Sequence, residues 1–397
     1  MKNRGVIIQV LFLLTLIGLK HVKGEDGLFI SRKGVQFMLN GVEFYGNGFN
    51  AYWLMHEGSI PSERQKVSNT FQQAVNYGLT IARTWAFSDG GSQPLQSSPG
   101  VYNEQMFQGL DFVVSEAKKY GIKLILSLVN NYKDYGGRPQ YIQWAHLSNE
   151  DDFYTNPVVK GFYKNHIKTV LTRVNTFTKV AYKDDPTIMA WELINEPRCS
   201  SDSSGKTLQN WVAEMASYVK SIDPNHLLEI GLEGFYGAST PAKIPINPNG
   251  YRYGTDFIAN NQIPGIDFAT VHSYPDQWLQ NSDGNAQLTF LKQWVEKHIE
   301  DSQNIIQKPV IFAEFGKSYK VSGYSQADRD QFYRIIYSDI YASASKRGSA
   351  SGGLLWQVLA EGMDSYRDGY EIVLKDGGSL GTLISEESHK LSKLRKP

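Results

Sequence analysis

The sequence predicts a closed (β/α)8 TIM barrel, eight parallel strands ringed by helices in a single domain. Three observations carry that reading. Short apolar runs recur eight times, helix-like segments separate them, and no repeat or low-complexity linker divides the 397 residues. A hydrophobic content of 41% is compatible with a large buried core. A doubly wound open sheet is the alternative architecture. It is disfavoured because no G-x-G-x-x-G phosphate turn follows the first strand.

The apolar runs span residues 42–49, 79–87, 122–129, 188–194, 227–232, 268–274, 309–315 and 352–359. They are rich in Ile, Leu, Val and Phe, and continuous rather than alternating. Parallel strands covered on both faces have this pattern. Helices are expected at 62–77, which closes at Gly78, and at 103–120, which closes at Gly121 with Lys118 and Lys119 in its last turn. Further helices are expected at 155–182, 207–222, 287–302, 327–346 and 385–394, whereas 236–261 reads as loop with weak helical character. Cys199 is the only cysteine, so no intramolecular disulfide forms and the core must supply the stability.

The N-terminus reads as a secretory signal peptide over residues 1–24, followed by a catalytic domain over 25–397. Lys2 and Arg4 form a basic start, residues 6–19 are apolar apart from Gln9 and Thr15, and the VKG stretch at 22–24 precedes the expected cleavage. The apolar run is shorter than the roughly 20 residues needed to span a bilayer. The expected product is therefore extracellular, with no membrane partner after cleavage. Removing Lys2, Arg4, Lys20 and Lys23 from 40 basic residues leaves 36 against 40 acidic, a net charge of −4. That balance excludes a nucleic-acid partner, which needs a basic face, and disfavours a polyanionic substrate. A neutral ligand and a monomeric chain are expected.

In such a barrel the reactive groups sit at the C-terminal ends of the strands. Arg83 and Trp85 close the second run, Asn130 and Asn131 the third, and Asn195 and Glu196 the fourth. His272 and Tyr274 close the sixth run, Glu314 lies in the seventh, and Trp356 in the eighth. A carboxylate ending an apolar strand is costly unless it is paired or used. Two of them, on strands that face one another across the mouth, can bracket a glycosidic bond. Hydrolysis with retention needs one protonated carboxyl and one ionised carboxylate about 5 Å apart. Glu196 is expected as acid/base, with a raised pKa, and Glu314 as nucleophile, kept ionised by Arg83, His272 and Tyr274. Asn195 is placed to bind a sugar 2-hydroxyl and Trp356 to floor the pocket. Glu192, four residues before Glu196, reads as a structural partner for Arg83. No metal or cofactor is expected: H-x-H and HExxH are absent, and G-x-S-x-G, the signature of a serine hydrolase, is absent too.

The segments RTWAFSDGG, NNYKDYGG, DDPTIMAWELINEPR, IDFATVHSYPDQW, KPVIFAEFGKS and GGLLWQ together resemble the plant endo-β-1,4-mannanases of glycoside hydrolase family 5. The similarity runs from about Gly27 to Ser388. It implies a mannan-type polysaccharide of the cell wall as substrate, with Glu196 and Glu314 in the roles above. It also implies that Arg83, Asn195, His272, Tyr274 and Trp356 shape the subsite of the cleaved sugar and that Trp85 binds substrate. Arg198 would reach the leaving-group side and influence transfer to sugar acceptors. Tyr132 departs from the Trp of many relatives. An endo-β-1,4-glucanase, a mannan transglycosylase and a non-catalytic wall-binding protein are the rival readings. Only the resemblance favours mannan over cellulose.

Overall fold

The computed structural model describes residues 29–395, so the expected signal segment lies outside it. The barrel strands are β1 (Gly48–Asn50), β2 (Ile81–Trp85), β3 (Lys123–Ser127) and β4 (Ile188–Glu192). They continue as β5 (Leu227–Glu229), β6 (Ala269–Ser273), β7 (Val310–Phe315) and β8 (Ala350–Leu355). All pairings are parallel and run β5-β4-β3-β2-β1-β8-β7-β6. β5 and β6 share no regular ladder. Isolated bonds close the gap instead, from Asp267 N to the Leu228 carbonyl at 2.7 Å and from His272 N to the Glu233 carbonyl at 2.9 Å.

The outer helices are α1 (Arg64–Asn76), α2 (Glu104–Tyr120), α3 (Pro157–Leu171) and α4 (Lys206–Ile222). After them come α5 (Phe257–Asn261), α6 (Gly284–Asp301), α7 (Gln326–Ala344) and α8 (Gly378–Ser392). As the sequence suggested, the segment after β5 is mostly loop and short 3-10 turns before α5. Within the strands, Ile81, Ile125, Ile311 and Ala313 pack inside the barrel, while Ala82, Leu124, Leu126 and Phe312 pack against the helices. Both faces are covered, which is why the runs carry no polar alternation.

The first run is really two elements. Residues Val42–Phe44 belong to a three-stranded antiparallel sheet with Ser31–Lys33 and Gln36–Leu39, and only Gly48–Asn50 joins the barrel. The small sheet plugs the N-terminal end, where Ile30, Phe37 and Phe44 pack with Ile81, Met189, Phe268 and Leu354. The helix expected over 155–182 is shorter at both ends. Asn156 caps α3 through Val158 N and Val159 N, with Pro157 in its first turn. It stops at Leu171, and the Asn175 side chain then accepts from Phe177 N and Thr178 N at 2.8 and 3.1 Å, building a turn in place of another helical turn. Conversely, α8 begins seven residues before the expected start at 385.

Candidate active site

The chemistry begins with β2, whose alternation turns Arg83 into the barrel. All five guanidinium N–H groups are engaged there. Nε and Nη2 hold Glu192 at 2.5 and 2.8 Å, Nη1 donates to Asn50 at 2.9 Å and to Glu314 at 2.6 Å, and Nη2 also donates to Asn195 at 2.7 Å. One buried cation thus ties β1, β2, β4 and β7 together. Burial opposes the Arg83 charge, but Glu192 and Glu314 outweigh it and hold the pKa above its ordinary value. Glu192, the partner foreseen for Arg83, is held below the ordinary carboxylate range because the arginine overcomes the cost of burial.

Beyond β4 the chain keeps pairing. Asn195 N donates to the Val129 carbonyl at 2.9 Å and Glu196 N to that of Gly231 at 2.9 Å, which fixes both residues at the barrel mouth. Glu196 has φ 51°, an unusual backbone state for a side chain of its size. On β6 and β7, His272 and Glu314 lie in register. His272 Nδ1 is 2.6 Å from Glu196 Oε1 and 3.6 Å from Glu314 Oε2, and the Tyr274 hydroxyl donates to Glu314 at 2.8 Å. An oxygen from each glutamate and a nitrogen of His272 all lie within 4.8 Å of one another. Such a trio has donors enough for a metal ion, but the Arg83 guanidinium beside Glu314 opposes a second cation there.

Burial pushes the Glu196 carboxyl up, against the pull of Arg198, Tyr132 and Arg83. Glu314 is also pushed up by burial, in spite of His272, Arg83 and Tyr274. Here the structure departs from the sequence reading, which raised Glu196 alone; a strand-end residue sealed under the mouth loses solvation whatever its partners. Burial lowers the His272 pKa, more than the surrounding carboxylates raise it, and so disfavours the charged ring.

These groups open into a cleft of about 720 Å³. Trp85, Asn195, Glu196, Arg198, Tyr274, Glu314 and Trp356 line it, with Arg83 and His272 buried beneath. The structure therefore gathers every residue singled out from the sequence. On one side Tyr52 stacks between Trp85 and Trp356, at 6.3 and 5.7 Å. Asp368 accepts from the Trp356 indole N–H at 2.8 Å and orients it. On the other side Arg198 forms a two-pronged pair with Glu233, at 2.9 and 2.7 Å, and lies 4.0 Å over the Tyr253 ring. Burial, and then the nearby Glu196, push Glu233 up to about 7 against the Arg198 charge.

Tyr52, Asp368 and Glu233 escaped the sequence reading. Glu233 follows the fifth apolar run and carried the same signal as Glu314, a carboxylate ending a strand. Tyr52 and Asp368 sit in loops, where no period marks them.

A (β/α)8 barrel with two opposed glutamates at its C-terminal mouth, an arginine beneath them and aromatic walls is the arrangement of a glycoside hydrolase scaffold. Residues 27–365 match the family model described as GH family 5 beta-mannosidase-like. The chain is 60% identical to mannan endo-1,4-beta-mannosidase 4 of Solanum lycopersicum, over 92% of each chain. It is 59% identical to mannan endo-1,4-beta-mannosidase 7 of Arabidopsis thaliana, over 94% of this chain and 87% of the relative. Among solved structures, the endo-beta-1,4-mannanase of Thermotoga petrophila superposes with a TM-score of 0.79 at 32% identity, covering 90% of this chain and 79% of the other. The chain belongs to glycoside hydrolase family 5, in its β-mannosidase-like branch. It is an enzyme, a glycoside hydrolase.

Proposed function

We propose that this enzyme is a secreted endo-acting hydrolase that cleaves β-1,4-mannosidic bonds of cell-wall mannan, glucomannan and galactomannan with retention. The observation that carries the mechanism is the approach of Glu196 and Glu314 oxygens to within 4.8 Å of each other, too close for a water to attack from the far side. The 60% identity to a relative named as a mannan endo-1,4-beta-mannosidase supports the sugar and the internal mode of attack.

Glu314 attacks the anomeric carbon as a carboxylate, while Glu196 gives its proton to the departing glycosidic oxygen. The C–O bond breaks as the glycosyl ester forms, and the shortened chain leaves. Glu196, now ionised, takes a proton from water; the hydroxide formed attacks the same carbon, and Glu314 is released as a carboxylate. Arg83 and Tyr274 each hold one Glu314 oxygen and so aim it. Arg83 also holds the Asn195 side-chain oxygen, and Asn195 binds the sugar 2-hydroxyl. Trp356 and the Tyr52 stack offer apolar faces to the glycone sugars, and the Arg198–Tyr253 wall faces the leaving chain.

The proposal is tested on purified mannan, glucomannan and carboxymethylcellulose side by side, with products sized and their anomers followed by NMR. Internal cuts in mannan with a β-anomer formed first are expected. Cleavage of cellulose alone would overturn the sugar, and an α-anomer formed first would overturn the mechanism. Added mannooligosaccharide acceptors separate hydrolysis from transfer, the second reading, which the half-buried Arg198 in the cleft wall favours.

A further inference from the structure

A second pair of glutamates lies under the first. Glu229 on β5 is in register with Glu192 on β4, and both are 0% exposed. The single cation within this layer is Arg83, and its five N–H groups are already committed to Glu192, Glu314, Asn50 and Asn195. Glu229 receives none of them. Its Oε2 accepts from Gly231 N at 2.5 Å and from the Thr270 hydroxyl at 3.2 Å, across the gap to β6. Its Oε1 is sealed from solvent and has no hydrogen-bond partner of its own among the described residues. The groups facing it are thus Glu192 from β4, Arg83 from β2 and the neutral Thr270 from β6. A carboxylate in that position would be a buried anion beside another anion, with one oxygen unserved.

We propose that Glu229 is a positioning residue that carries a proton on Oε1 and shares it with Glu192, so that the pair bears one negative charge and holds Arg83 in place beneath Glu314. The second carboxyl then acts as a hydrogen-bond donor that no alkyl side chain could replace. Burial and the Glu192 charge both push the Glu229 carboxyl well above the usual range, in agreement with this geometry. The catalytic consequence rests on the retaining reading above: with one charge below it, Arg83 stays shared with Glu314. If Glu229 ionised, two anions below would compete with Glu314 for the same guanidinium.

The full chain and its Glu229→Gln variant test this. Glutamine reproduces a carboxylic acid atom for atom, with its amide as donor to Glu192 and its carbonyl as acceptor for Gly231 and Thr270. The folded wild type retains a proton that the unfolded chain releases above about pH 4.3. Its unfolding constant should therefore rise with pH by about tenfold more per unit than that of Glu229→Gln, between about pH 5 and pH 7. This measurement uses denaturant alone and needs no substrate, so its outcome is separate from that of the hydrolytic reading. At the wild type's own pH optimum the variant should keep kcat/KM within about threefold on whichever polysaccharide the wild type cleaves, while Glu229→Leu loses most of it. Equal pH slopes overturn the proposal. A Glu229→Gln chain that fails to fold, or that loses more than tenfold in kcat/KM, overturns it too, because either shows that the anion is required.

Discussion

Glu196 and Glu314 share a neighbourhood yet are served differently. Glu314 accepts directly from the Arg83 guanidinium and the Tyr274 hydroxyl, whereas Glu196 has the His272 imidazole at 2.6 Å and is acted on by Arg198, Tyr132 and Arg83. Replacing Glu196 by Gln should lower turnover of polysaccharide by about 10²–10⁴-fold. The loss should be far smaller in the first step with an aryl glycoside whose leaving group needs no proton. A loss equal for both substrates would remove Glu196 from the acid role. The pH dependence follows from the shared burial. Both carboxyls are pushed above the ordinary carboxylate value, so both limbs of a bell-shaped kcat/KM profile should lie above about pH 4.3. The acid limb reports protonation of the nucleophile, and the alkaline limb reports loss of the acid's proton. A profile flat from about pH 4 to pH 9 would sink the two-carboxylate mechanism.

At the scale of elements, the site depends on how closely β4 and β5 approach. Gly231 has φ +95°, and a Cβ there would lie 1.9 Å from the Ile194 carbonyl oxygen. Its own carbonyl holds Glu196 N at 2.9 Å, and its N–H serves Glu229. Gly231→Ala should therefore cost about 2 kcal/mol or more of stability and reduce kcat together with it. A thermal melt and a rate on the same preparation check this, and an unchanged kcat would show that Glu196 does not need this anchor. Strand ends were the part of the site that the sequence made legible. Arg83, Glu196, His272 and Glu314 stand out because each is a polar residue ending or interrupting an apolar run. Tyr52 and Asp368 do not, because loop residues are positioned by contacts from distant segments rather than by local period. The helix expected to run past Leu171 erred for the opposite reason: a local side-chain turn at Asn175 overrode a favourable apolar pattern.

Across the whole molecule the two ends of the barrel have separate duties. The N-terminal end is filled by Phe37, Phe44 and their neighbours and is tied by Arg395, which donates to the Tyr45 carbonyl and lies 4.2 Å over the Phe44 ring. The C-terminal end carries the cleft. Exchanging Arg395 for Ala should lower the melting temperature while leaving kcat/KM unchanged; a parallel loss of activity would show that the two ends are coupled. The gap between β5 and β6 runs between them, crossed by a few isolated bonds rather than by a ladder. Cooperative protection of amides depends on such ladders, so the sheet has a natural starting point for local opening. Native-state hydrogen exchange should find the amides of Asp267 and His272 opening at lower free energy than those of β2 and β3. The barrel would then breathe along the wall that carries Glu233 and His272, leaving the Tyr52 side still, so a long chain could be threaded past one edge without melting the other.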